Sequence, residues 1–218
     1  MTEIFFKIKI SDKRKNQDTI DLVKKMYSWR GYDVEWAEQQ PDQITLIIHD
    51  KFAELMGTLA IGFDSSRGLR SDDLYHDEIN KLRDAGTMIC EFTKLAVDFD
   101  GPFNSKLVLG MVFHVAYIYA YQMRGYTDLL IEVNPRHVNF YEKMLGFKQL
   151  GPERLNPRVN APAVLLCVNM PSFLKTIQRL GGRPELAPTE KTLFPFFFSE
   201  SDAKLIMRRL EIQTTRSS

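Results

Sequence analysis

From Leu107 to Gln122 the chain carries no Asp, Glu, Lys or Arg, and its apolar residues fall on nearly every side of a helical period. A helix that is apolar almost all round must be buried. The stretch is shorter than the ~20 residues that a bilayer demands. Its cover is therefore protein, and the pattern predicts a helix over 105–124 packed against a sheet.

Strand patterns supply that sheet. Glu3 to Ile10 alternates as a strand does. Gln43–His49 and Leu55–Phe63 are apolar, β-branched runs around the turn-like Asp50-Lys51, and predict a hairpin. Thr87–Asp98 reads as a long central strand, followed by a turn at Asp100-Gly101-Pro102. Leu129–Val133, Phe147–Leu150 and Ala163–Met170 are further strands. Helices are expected between them. One runs from Asp18, as N-cap, to Trp29, with Ile20, Val23, Met26 and Tyr27 at helical spacing and Gly31 beyond its end. A second opens at Ser71-Asp72-Asp73 and stops at Gly86. A third starts at Asn134-Pro135 and ends at Gly146, proline being tolerated in a first helical turn. Two more follow, from Pro171-Ser172 to Leu180 and around Asp202 to Leu210. The interleaving predicts an α/β (α+β) sheet with helices on both faces. Residues 1–185 are expected to form the domain, with 186–218 a linker and a helix packing on it.

Composition removes several classes. The 29 basic residues against 28 acidic give no general attraction to nucleic acid or to a membrane surface. Two cysteines, both in apolar runs, make no disulfide framework and are expected to be reduced, buried thiols. The first ten residues lack a signal-peptide layout, and no segment is long enough to span a membrane, so a cytoplasmic protein is expected. His49, His76, His114 and His137 are far apart and show no metal-ligand spacing. Phosphate-loop, dinucleotide and nucleophile-elbow motifs are missing.

The informative stretch is Leu129 to Phe147, a strand ending in Asn134-Pro135 and a short helix reading Phe-Tyr-Glu-Lys-Met-Leu-Gly-Phe. It resembles the C-terminal half of the Gcn5-related N-acetyltransferase superfamily, and Glu91–Val97 is similar to that superfamily's fourth strand. The resemblance implies a mostly antiparallel sheet in which this strand and the next splay apart, with an acyl thioester in the gap. Acetyl-CoA enzymes follow the fourth strand with a glycine-patterned loop whose N–H groups hold a pyrophosphate at a helix N-terminus. Residues 99–110 carry no such pattern. A single phosphodiester needs fewer donors, and Ser105, Lys106 and the start of the long helix are candidates for it. With Gly68–Tyr75, Leu82–Gly86, Phe113–Tyr119 and Asn134–Tyr141, the chain resembles the N-acyl amino acid synthases, of which the long-chain N-acyltyrosine synthases are the type example. These are related to the acyl-homoserine-lactone synthases.

That resemblance implies transfer of a fatty acyl group from acyl carrier protein, in preference to acyl-CoA, to the α-amine of an amino acid, with no tightly bound cofactor. An α-amine must lose a proton before it attacks a thioester. Glu91 is the candidate base, or else a carboxylate paired with Lys94 or an arginine. Tyr141 is the candidate acid for the leaving thiol, or a packing residue beside Phe140 and Phe147. The pantetheine arm is expected along Leu95 and Val97, with Asn134 bonding its amide or serving only as a helix cap. Leu109, Phe113, Ala116 and Tyr117 line an acyl tunnel, or pack a helix with no cavity. Arg67, Arg70, Lys81, Arg83, Lys106 and Arg124 are candidates for docking the acidic carrier, Arg70 alternatively for binding the acceptor's carboxylate. Three other readings stand beside this one: a lactone synthase using S-adenosylmethionine, a non-catalytic acyl or carrier-protein binding module, and a CoA-dependent acetyltransferase with a degenerate loop. The resemblance does not explain the aromatic segment Leu193–Phe198.

Overall fold

The computed structural model describes residues 6–11, 17–28, 42–98 and 104–217. The expected start of the first strand at Glu3, the helix end at Trp29 and Gly31, and the turn at Asp100-Gly101-Pro102 lie outside them.

Among the described residues eight strands form the sheet: β1 (Lys7–Ser11), β2 (Gln43–His49), β3 (Leu55–Phe63), β4 (Ile89–Val97), β5 (Asp128–Val133), β6 (Lys148–Gln149), β7 (Arg154–Asn156) and β8 (Ala161–Asn169). Their order is β1-β2-β3-β4-β5-β8-β6, with β7 paired to β8 alone. Every pairing is antiparallel except β4 with β5. A parallel pair needs a long crossover, and the apolar helix α3 (Ser105–Tyr117) supplies it. The β2–β3 hairpin turns at Asp50, whose Oδ1 accepts from the N–H groups of Phe52 and Glu54 at 2.8 and 2.9 Å.

β4 and β5 pair only from Ile89↔Asp128 to Phe92↔Ile131. Beyond that point β4 stays with β3 as far as Gly57↔Val97, and β5 stays with β8 as far as Val133↔Val164. The two strands therefore part after Phe92 and Ile131. A bulge sits at the parting. Ala60 faces Thr93 and Thr58 faces Ala96, so two steps on β3 oppose three on β4. The extra residue reverses which face each later side chain occupies. Lys94 lies in it with φ of 51°, a left-handed conformation that costs an L-residue other than glycine energy.

Helices cover both faces. α2 (Asp72–Asp84) packs Tyr75 and Ile79 with Ile89, Leu130 and Leu165. α1 (Gln17–Ser28) packs Leu22, Val23 and Met26 on Ala96. It begins at Gln17, so Asp18 stands inside the first turn and is not its cap. The opposite face carries α3, α4 (Val138–Leu145), α5 (Phe173–Leu180) and the C-terminal segment. α3 is capped by Asn104, whose Oδ1 accepts from Lys106 N–H at 2.9 Å, and it runs on as a π-helical turn through Ile118–Met123.

The C-terminal segment continues that core. After α6 (Ala187–Glu190), Leu193, Phe194, Phe197 and Phe198 are buried. Phe198 N–H donates to Nδ1 of His114 at 2.9 Å, and Phe197 stacks on the same imidazole with centroids 4.7 Å apart. Burial pushes the His114 pKa down to about 3, so it stays neutral and able to accept. α7 (Glu200–Ser217), longer than the expected 202–210, then buries Ile206 and Leu210. Its Gln213 accepts from Ile10 N–H and donates to the Ile8 carbonyl, which occupies the open edge of β1.

Gly110 is where α3 admits this segment: a Cβ there would lie 2.8 Å from Cβ of Phe196. In an open helix Gly→Ala stabilises by up to ~1 kcal/mol. Here Gly110→Ala is expected to lower stability by ~1–3 kcal/mol through overpacking, read as a reduced urea midpoint.

Candidate active site

The parting of β4 and β5 opens a cavity of about 480 Å³ that passes through the sheet. One side of it is apolar. Phe92, Leu95 and Val97 of β4, Leu109 and Phe113 of α3, and Phe140 and Tyr141 of α4 border it. Phe113 meets Phe92 and Tyr141 with ring centroids 6.0 and 6.1 Å apart. Tyr141 also makes edge contacts with Phe140 and Phe147 at 5.4 and 5.9 Å, so it packs and faces the cavity at once. Ser105 and Lys106 border the same space at the start of α3. Asn134 borders it too, while its Oδ1 accepts from Arg136 N–H at 3.2 Å and its Nδ2 donates to the Pro162 carbonyl at 3.3 Å.

The other side is charged. Glu91 is 3% exposed. Its Oε1 accepts from Arg70 N–H at 2.7 Å, and its Oε2 accepts from the N–H and Oγ of Ser71 at 3.0 and 2.8 Å. Ser71 thus serves Glu91 and does not cap α2. Burial holds the Glu91 carboxyl above its ordinary range, and these hydrogen bonds only partly offset it. Among the described residues the hydrogen bonds to Glu91 come from the loop of Arg70 and Ser71, and the Arg70 guanidinium adds an electrostatic attraction. Lys94 borders the cavity, and burial, helped by Arg70, brings its pKa down to about 8.

Arg70 is half-buried, and its guanidinium makes no hydrogen bond or ion pair among the described residues. Burial lowers its pKa, and the nearby Arg158 adds to that. Arg158 is fully engaged. Its Nη2 donates to both oxygens of Glu132 at 2.8 and 2.6 Å; its Nη1 donates to Asp73 at 2.5 Å and to the Arg70 carbonyl at 2.9 Å. Asn156 Nδ2 adds a 2.8 Å bond to Glu132. Burial raises the Glu132 carboxyl despite Arg158.

Ten of the sequence-derived residues therefore come together at the cavity: Tyr141, Leu95, Val97, Ser105, Lys106, Asn134, Leu109 and Phe113, with Glu91 and Arg70 on its charged side. Three do not. Ala116 and Tyr117 are buried beyond the cavity floor, where Tyr117 meets Tyr121 and Phe173. That turn of α3 packs on α5, where Tyr117 meets Phe173, and of the four tunnel candidates only Leu109 and Phe113 border the cavity. Arg83 is held by Asp64, Asp72 and Asn80 through five hydrogen bonds of 2.7–2.9 Å and does not reach the cavity. Of the other docking candidates, Arg67 pairs with Asp42 and Arg124 lies over the Phe63 ring. Sequence reasoning named Lys94 only as a partner for Glu91 and missed Glu132, Asn156 and Arg158. Glu132 sits in the quoted Leu129–Val133 strand, but β7 and the Arg158 turn carry no periodic signal.

A mostly antiparallel sheet that splays at one parallel pair, with helices on both faces, defines the Gcn5-related N-acetyltransferase class. The model of the family described as N-acyl amino acid synthase FeeM matches residues 18–169, and the chain belongs to that family. Among solved structures, FeeM, an N-acyl amino acid synthase from uncultured soil microbes, aligns with TM-score 0.69 and 24% identity, covering 78% of this chain and 94% of its own. An aminoglycoside N(6')acetyltransferase from Legionella pneumophila aligns with TM-score 0.53 and 14% identity over 81% and 98%. An acyl-CoA N-acyltransferase from Pseudomonas aeruginosa gives 0.51 and 10% over 74% and 98%. No curated protein sequence matches. The chain is thus an acyltransferase-fold protein related to these synthases. Among the described residues no helix is long and apolar enough to cross a membrane, and no His, Cys, Asp and Glu side chains group to hold a metal.

Removing one partner of a largely buried ion pair strands the other. Glu132→Ala is expected to cost ~3 kcal/mol. Arg179→Ala, which breaks an exposed pair with Glu190, is expected to cost less than ~1 kcal/mol. Urea denaturation of the two variants checks the contrast.

Proposed function

We propose that this protein moves a long-chain fatty acyl group from acyl carrier protein to the α-amine of an amino acid. The observation that carries the reading is the two-sided cavity: apolar on the α3–α4 face, and on the other face bordered by a buried carboxylate and a disengaged guanidinium. The acyl chain belongs to the first side and the zwitterionic acceptor to the second.

Past Phe92 the β5-facing edge of β4 has no strand partner among the described residues. Its peptide groups are open to the amides of a pantetheine arm alongside Leu95 and Val97, as an edge strand accepts an extended ligand. Ser105 and Lys106 stand where the arm's phosphodiester would leave the cavity. Arg70 receives the acceptor's carboxylate through its planar fork. A carboxylate offers about four lone-pair sites, and three on Glu91 are taken. The remaining one accepts the amine proton, directly or through a water. The raised pKa makes Glu91 a stronger base than an exposed glutamate. The amine nitrogen then attacks the thioester carbon, the C–N bond forms and the C–S bond breaks. Tyr141 gives its proton to the departing thiolate, and the second proton, which the nitrogen sheds as the amide forms, returns through water to the tyrosinate.

Mass spectrometry of products from acyl carrier protein thioesters and a panel of amino acids tests the reaction; absence of any N-acyl amino acid overturns it. Each buried CH₂ contributes ~0.8 kcal/mol, so dodecanoyl donors are expected to exceed acetyl by at least ~10²-fold in kcat/KM. Glu91→Gln and Tyr141→Phe are each expected to lower kcat by ~10²-fold or more with donor KM little changed. A base must be deprotonated to act, so the wild-type rate falls as pH drops through the Glu91 pKa, above the usual carboxylate range. Rate profiles against pH check this limb, which Glu91→Gln abolishes.

A further inference from the structure

Two arginines border one cavity and differ in a single respect. Both terminal nitrogens of Arg158 are spent on Glu132, Asp73 and a carbonyl, whereas the guanidinium of Arg70 has no partner among the described residues. The carbonyl that Arg158 bonds is that of Arg70 itself, at 2.9 Å, while the Arg70 N–H is held by Glu91 at 2.7 Å. Residue 70 is thus gripped at both ends of its main chain by side chains from two other elements, β4 and the β7–β8 turn.

We propose that Arg158 is a positioning residue for acceptor recognition: with Glu91 it clamps the Arg70 main chain and so aims the Arg70 guanidinium at the acceptor's carboxylate. This rests on the reading of Arg70 given above. A long arginine loses rotamer freedom when fixed, and a loop as its base would add to that cost. Residues 64–70 form such a loop ahead of α2. The clamp removes the backbone share before the ligand arrives, which is preorganisation. Arg158 cannot take the carboxylate itself without giving up Glu132. Glu132 in turn fixes Arg158 by a two-oxygen contact, and Asn156 holds both, since its Oδ1 accepts from Arg158 N–H at 2.9 Å.

A merely structural role predicts something different, and Arg154 supplies the control. Arg154 also ties the β7–β8 hairpin to α2, through Glu78 and the Leu74 carbonyl, but it does not touch residue 70. The measurement is calorimetric binding of N-dodecanoyl-L-tyrosine and of its methyl ester, whose ratio of affinities reports carboxylate recognition alone. The wild type is expected to prefer the acid by about tenfold or more, as a charge-assisted bidentate contact does. Arg70→Gln brings the ratio to about one. Arg158→Gln lowers it several-fold although Arg70 is intact, and Arg154→Gln leaves it unchanged. If Arg158→Gln fails to fold, Glu132→Gln, which retains the shape of the site, carries the same expectation. A ratio unaltered by both Arg158→Gln and Glu132→Gln overturns the clamp. A wild-type ratio near one, a ratio that survives Arg70→Gln, or no binding of either compound overturns the reading of Arg70 beneath it.

Discussion

The separation of two strands is the constraint on which the rest of the molecule depends. β4 and β5 share a short parallel ladder and then follow different neighbours, β3 on one side and β8 on the other. Each strand stays paired on its outer edge, β4 with one bulge, so the gap costs chiefly the inner ladder. The bulge at Lys94 sits one residue past Thr93, beside the last paired residue, and changes which side chains line the opening. Leu95 and Val97 then border the cavity, and Ala96 turns to α1. A left-handed lysine at this point is strain held in place by its surroundings, of a kind that concentrates at working sites.

The gap passes through the sheet, so it joins two environments that a folded sheet ordinarily keeps apart. On one face lie aromatic rings of α3 and α4; on the other lies a set of charges in which carboxylates and guanidinium groups alternate. Burial strengthens every charge interaction on the polar face and shifts Glu91, Glu132 and Lys94 towards neutrality.

The buried phenylalanines of the C-terminal segment meet α3 along Gly110 and His114, and Tyr117, in the next turn of the helix, packs on Phe173 of α5. An apolar face of a helix reads the same in sequence whether a ligand or a phenylalanine covers it, which is why Leu109 and Phe113 border the cavity while the next turn does not. Arg83 shows the same ambiguity for charge. An arginine seven to twenty residues from several acidic ones gives no sign of which will hold it, and Asp64 and Asp72 close on it only after the loop before α2 has folded.

Local pattern determined the elements. The apolar runs of β2, β3, β4 and β8, the uncharged run of α3, and the Asn134-Pro135 start and Gly146 stop of the helix before β6 all depend on neighbours a few residues away, and so were legible from the chain itself. The Glu91 and Tyr141 positions followed from a motif on those elements. What tertiary structure alone decided is long-range: where β4 leaves β5, that residues 193–198 pack against α3, and that Glu91 and Arg158, 67 residues apart in sequence, grip the main chain of residue 70. Hydrogen bonds to a backbone N–H or carbonyl carry no residue-type signature, because every position but proline offers both groups. Only the folded chain selects which one is held.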